Sequence, residues 1–105
     1  MTTVKQYIAP DGESPFGQWL DDLDDPAAAR VVTAITRIAQ GNFSSVKGVG
    51  AGVFESRIDF GPGLRVYFGK DGAAMVILLG GGTKKRQARD IADAHARWRD
   101  YKQRK

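Results

Sequence analysis

"VFESRIDFGPGLRVYFGKDGAAMVILLGGGTKK", residues 53–85, decides the fold. Residues 53–60 alternate, with Phe54, Ser56, Ile58 and Phe60 on one side and Val53, Glu55, Arg57 and Asp59 on the other, which is the period of a strand. The turn Gly61-Pro62-Gly63 leads into residues 64–69, where Leu64, Val66 and Phe68 form the apolar set and Arg65 and Tyr67 lie opposite. After Lys70-Asp71-Gly72, residues 74–80 are almost wholly apolar, as expected of a central strand buried on both faces. Three strands joined by tight turns predict an antiparallel meander.

Upstream, residues 4–8 read as a short strand. Ser14 and Pro15 open a helix with Phe16, Trp19, Leu20 and Leu23 on one face. Asp25 and Pro26 repeat that signal for a second helix, with Ala28, Val31, Val32, Ile35 and Ile38 on one side and Gly41 as its closing glycine. Residues 41–52, with four glycines and two serines, read as loop. From Thr83 a last helix is expected to run to about residue 102, with Ile91, Ala94, His95, Trp98 and Tyr101 as its stripe. The order β-α-α-β-β-β-α is an α+β fold, with the two early helices on the apolar face of the sheet. At 105 residues the chain suits one domain, 1–105.

Composition narrows the function. No apolar stretch approaches a membrane span, and the first ten residues hold no apolar segment of signal-peptide type, so a cytoplasmic location and no membrane partner are expected. With no cysteine and one histidine, a zinc site is not expected, nor is any other metal or cofactor. The charge is lopsided: residues 1–52 hold four basic and six acidic residues, and residues 53–105 hold twelve basic and six acidic. A basic half suggests a polyanionic partner, with nucleic acid foremost, set against the plain alternative of a solvated basic helix.

The candidate chemistry lies on the sheet face away from the early helices. Arg57 and Arg65 can grip a phosphate through paired hydrogen bonds. Glu55 can take a proton from a hydroxyl, and Tyr67 can stack on a base. Cross-strand ion pairing, Arg57 with Asp59 and Arg65 with Glu55, is the competing structural explanation. The "GGGTKK" run is not a Walker loop, because its threonine precedes the lysines. Read as the junction between strand and helix, with Thr83 as N-cap, it places Lys84, Lys85 and Arg86 in a first helical turn where they oppose the dipole and an anion would offset the cost. Together with Arg89 they form the expected nucleic-acid rim. His95, Trp98 and Tyr101 sit at helical spacing and read as packing residues.

Residues 52–91 resemble the core of the RelE/ParE toxin superfamily, most closely its HigB-like addiction-module killer branch. The F-E-x-R strand, the G-x-G-x-R-V-Y-F strand and the L-L-G-G-G-x-K-K ending carry the likeness. The resemblance implies a RelE-like fold and a bacterial type II toxin that cuts mRNA on the ribosome and is neutralised by an antitoxin, usually of helix-turn-helix type. It implies Arg65 as the phosphate-gripping strand arginine, Glu55 and Arg57 as catalytic neighbours, Lys84 or Lys85 as the basic residue after the last strand, and metal-free attack by the RNA 2′-OH. Many relatives carry a Tyr or His near the chain end that faces the phosphate; here only His95 and Tyr101 follow Lys85, both inside the expected helix. A ParE-like gyrase inhibitor and a non-catalytic basic binding module are the alternatives.

Overall fold

A computed structural model describes residues 2–105. Its elements are β1 (Thr3–Gln6), α1 (Pro15–Asp21), α2 (Asp25–Ala39), β2 (Val46–Gly48), β3 (Val53–Ile58), β4 (Leu64–Lys70), β5 (Met75–Thr83), a 3-10 turn (Lys84–Arg86) and α3 (Gln87–Arg104). The five strands form one sheet in the order β1-β5-β4-β3-β2. The expected meander β3-β4-β5 is its antiparallel centre, and β1 runs parallel to β5.

Helix starts follow local chemistry. The Ser14 hydroxyl accepts a hydrogen bond from the Gly17 N–H at 2.9 Å, with Pro15 behind it. The cap of α2 is Asp24 and not Asp25: its carboxylate accepts from the Ala27 N–H at 2.9 Å. Gly41 ends α2 as expected, at φ 86°, a value an L side chain rarely adopts.

Two cores sandwich the sheet. Phe16, Val31, Ile38, Ile58, Leu64, Val66, Phe68, Val76 and Leu78 fill the face under α1 and α2. Val32 departs from the expected stripe and is exposed, because the buried row of α2 runs through Ala27, Val31 and Ile38. The second core, Tyr7, Val53, Tyr67, Ile77, Leu79, Ala94 and Trp98, lies under α3, which covers the face expected to be open. Trp98 stacks on Tyr101, with ring centroids 5.3 Å apart, so both serve packing.

Two further differences bear on function. Within the expected loop 41–52, Val46–Gly48 form the edge strand β2, which pairs Lys47 with Glu55. The glycines are not a junction either: β5 runs on through Gly80, Gly81, Gly82 and Thr83, pairing them with Tyr67, Val66, Arg65 and Leu64. Thr83 therefore ends a strand and makes no side-chain cap. A Cβ on Gly81 would overlap the Trp19 ring of α1. One on Gly82 would overlap the Asp90 carboxylate of α3, and one on Gly80 would lie 2.6 Å from Arg97 Nη1. The glycines let both helical layers touch the strand's backbone.

The C-terminal half of α3 is tied down by carboxylates. Tyr7 donates to Asp100 at 2.6 Å, and Tyr101 to Asp71 at 2.7 Å. These bonds, with those from Arg104 to Asp100 and from Lys105 to Asp71, hold both carboxyls below the usual range. Their contribution is present above the ordinary carboxylate value and is lost as pH falls through the lowered one. Asp71→Asn/Asp100→Asn should thus melt lower than the parent at pH 7, and its melting temperature should fall less on acidification. Parallel melting curves from neutral to acid pH check this; equal acid slopes would exclude these two carboxylates as the cause.

Candidate phosphate-binding cleft

The β3–β4 register sets Arg57 directly opposite Arg65, and Glu55 opposite Tyr67. All four point to the α3 side of the sheet, but α3 covers them unequally. Glu55 is completely buried, Tyr67 is 1% exposed and Arg65 7%. Arg57, one strand further from α3, is exposed. A cleft of about 720 Å³ opens beside them, lined by Lys47, Arg57, Arg65 and Lys84 together with Ser44, Ser45 and Asp59. Four cations thus face one carboxylate.

Each cation arrives by a different route. Lys47 comes from β2, at the position paired with Glu55. Lys84 is brought in by the 3-10 turn, whose first N–H donates to the Gly63 carbonyl at 3.0 Å. An added Cβ on Gly63 would meet Arg65 Nη1 at 3.4 Å and Lys84 Cβ at 3.6 Å, so the glycine keeps the floor between them clear.

Glu55 lies beneath this cleft, not on its surface. Gln87, the first residue of α3, donates to its Oε2 at 2.9 Å. Its Oε1 lies 3.6 Å from Arg65 Nε and 3.9 Å from Lys47 Nζ, within ion-pair range but too long for hydrogen bonds. Glu55 Oε1, Arg65 Nε, the Tyr67 hydroxyl and Asp90 Oδ2 are all buried and find no hydrogen-bond partner among the described residues. Burial, then the nearby Glu55 carboxylate, pushes the Tyr67 hydroxyl well above its ordinary range, so it stays a protonated donor. Burial likewise raises the Asp90 carboxyl. Groups this costly to leave unmatched need a reason, and functional sites are where they gather.

The expected site is therefore brought together in part. Arg57, Arg65 and Lys84 share the cleft. Tyr67 is a correction: its ring is packed in the α3 core and presents no face for a base. Lys85, Arg86 and Arg89 are exposed but do not line the cleft. His95 Nε2 contacts the Val49 carbonyl at 2.9 Å and Tyr101 bonds Asp71, and neither lines the cleft. Lys47 and Gln87 are additions. Lys47 was hidden in a segment that reads as loop, and Gln87 in a helix whose docking face the residue pattern does not specify. Of the competing ion pairs, Arg65–Glu55 is present, whereas Arg57 has no acidic partner within 4.0 Å among the described residues.

Residues 18–99 match the family described as "Phage derived protein Gp49-like (DUF891)". The chain is also 44% identical over 80 residues to an uncharacterized protein of Haemophilus influenzae (strain Rd), an alignment that covers 75% of this chain and 81% of the relative. With most of its length matched, the chain belongs to the Gp49-like family of phage-derived proteins, a RelE/HigB-like toxin family.

Proposed function

We propose that this protein is the toxin of a type II toxin–antitoxin pair and that it cuts mRNA on the ribosome. Family membership supports the toxin and, with it, an antitoxin partner. The observation that carries the nuclease reading is the direct cross-strand pairing of Arg57 with Arg65 in a cleft that also takes Lys47 and Lys84. Like charges directly opposite on a sheet destabilise it, and a phosphate between them reverses the sign.

In this reading the 2′-oxygen attacks the adjacent phosphorus and the 5′-oxygen leaves, taking a proton from water, to give a cyclic phosphate and a free 5′-hydroxyl. Arg57, Arg65 and Lys84 bind the scissile phosphate and stabilise the charge that develops on its oxygens. Glu55 fixes Arg65 and Lys47 from below. It accepts the 2′-hydroxyl proton only when Gln87 swings off its carboxylate, because in the closed arrangement it touches no solvent.

Expression without an antitoxin should arrest growth, and programmed ribosomes should yield mRNA cuts that are absent when ribosomes are omitted. Arg57→Ala should lower the cleavage rate at least about a hundredfold, the lower end for loss of one charge-stabilising group. Its stability should change by less than about 0.5 kcal/mol, because Arg57 is exposed and unpaired. Uncut mRNA together with inhibited DNA supercoiling would replace this reading with a gyrase-directed toxin.

A further inference from the structure

We infer that the groove between α2 and β3 is a second backbone-phosphate subsite, holding the nucleotides of a single RNA strand next to those in the Arg57/Arg65/Lys84 cleft. The inference rests on the RNA reading above and extends it to residues that reading does not use.

The groove has a volume of about 500 Å³ and is lined by Arg30 and Arg37 from α2 and by Arg57 from β3, with Asp59 as its one acid. Arg30, Thr33, Ala34 and Arg37 all line it. They stand at i, i+3, i+4 and i+7, a single helix face. The two guanidiniums are thus rooted two turns apart, about 10 Å along the axis. Ser44, Ser45, Val46, Arg57, Ile58 and Asp59 line both this groove, on the α2 face, and the cleft, on the α3 face, so the two meet around the edge of the sheet at β3.

The distribution of charge argues against a merely solvated face. Residues 1–52 are net acidic and hold only four basic residues: Lys5, Arg30, Arg37 and Lys47. Three of those four line the joined clefts, and the fourth lies on β1 at the other edge of the sheet. Neither Arg30 nor Arg37 has an acidic partner within 4.0 Å among the described residues. The Phe60 ring backs the Arg30 guanidinium at 5.0 Å, which steadies it without neutralising it. Arg37 gains from the C-terminal dipole of α2, which explains a cation in the last turn but not its place beside Arg30 in one groove. With Lys84, Arg65 and Lys47 in the cleft and Arg30 and Arg37 in the adjoining groove, the track carries more cations than one phosphate requires. It matches a strand whose backbone charge repeats along its length.

The test compares oligouridylates of about 3 and about 12 nucleotides, a range that brackets common single-strand site sizes, binding to the full chain over a salt series. Arg30→Ala/Arg37→Ala should leave affinity for the short oligomer unchanged, weaken the long one about tenfold, and reduce the log–log salt slope for the long one by about 1.4, the value for two lost phosphate contacts on a single strand. Melting curves check that the double variant is folded. An unchanged long-oligomer slope, with Arg57→Ala still weakening both lengths, would overturn the second subsite and leave the cleft standing. Polyglutamate binding that the double variant alone loses, with RNA binding intact, would also overturn it and give the groove to an acidic protein partner. If the parent bound neither oligomer and cut no mRNA, the RNA reading itself would fall, and this inference with it.

Discussion

Arg65→Ala is expected to slow mRNA cleavage by about 10²–10³ and at the same time to destabilise the protein by about 3–5 kcal/mol, the usual cost of stranding one member of a buried ion pair. The two losses have separate causes. Arg65 lines the cleft, so its guanidinium is available to phosphate, while its Nε lies 3.6 Å from the Glu55 carboxylate. Without Arg65, a fully buried carboxylate keeps one hydrogen bond from Gln87 and a distant Lys47 ammonium. That does not offset its desolvation.

Glu55→Gln in the same chain separates the effects. The amide has nearly the shape of the carboxylate and carries no charge, so Arg65→Ala/Glu55→Gln should recover much of the lost stability, a coupling of about 1–3 kcal/mol between the two sites. Measured against Glu55→Gln alone, which already lacks the proposed base, the double variant should cut mRNA about 10²–10³ more slowly, because the guanidinium proposed to hold the phosphate is still missing. Denaturant melts give the first quantity, and timed cleavage on programmed ribosomes gives the second. A double variant that cuts as fast as Glu55→Gln alone would mean that Arg65 only supports the fold, and the phosphate role would pass to Arg57 and Lys84.

The arginine pair was legible because alternation is a local signal. The period-two pattern of residues 53–60 and 64–69 assigns Glu55, Arg57, Arg65 and Tyr67 to one face, and the short turn fixes their register. What covers that face is not local. The stripe of Ile91, Ala94, Trp98 and Tyr101 states that the last helix needs an apolar surface, and only the assembled sheet supplies one, beside Tyr67, Ile77 and Leu79. Alternation alone therefore leaves Glu55 and Tyr67 on an open face, although they are sealed. Strand β2 was missed for a different reason: three residues set among glycines and serines have no period to detect, and only pairing with β3 makes them a strand. Lys47 was missed with it. The glycine run misled through composition, since a run of glycine reads as a turn unless a packing partner is known.

That run yields a second large effect. Gly81→Ala should cost about 1–3 kcal/mol, as overpacking a filled core does, and at this chain length should lower the melting temperature by roughly 4–8 °C for each kcal/mol. The new methyl would enter the space of the Trp19 ring, a rigid group of α1 packed against the first core and 6.0 Å from Phe16 by ring centroids. Neither partner can yield cheaply: Gly81 is held to Val66 in the β4–β5 ladder, and the methyl would meet the rigid six-membered ring of the indole, not the end of a flexible side chain. Gly48→Ala is the control. Nothing lies within 4 Å of a Cβ there, so it should be neutral or slightly stabilising, by up to about 1 kcal/mol, through the loss of freedom in the unfolded chain. Adding Trp19→Leu to Gly81→Ala should return part of the loss, making the double variant more stable than the sum of the single changes predicts. Strict additivity would show that the glycine is needed for its backbone and not for the close approach of α1. Gly82, the next residue, extends the same logic to the face under α3. By admitting the Asp90 carboxylate onto the strand opposite Arg65, it lets the start of α3 settle low enough for Gln87 to reach Glu55. The glycines thus hold no phosphate themselves; they set how closely the helix that closes the site can approach.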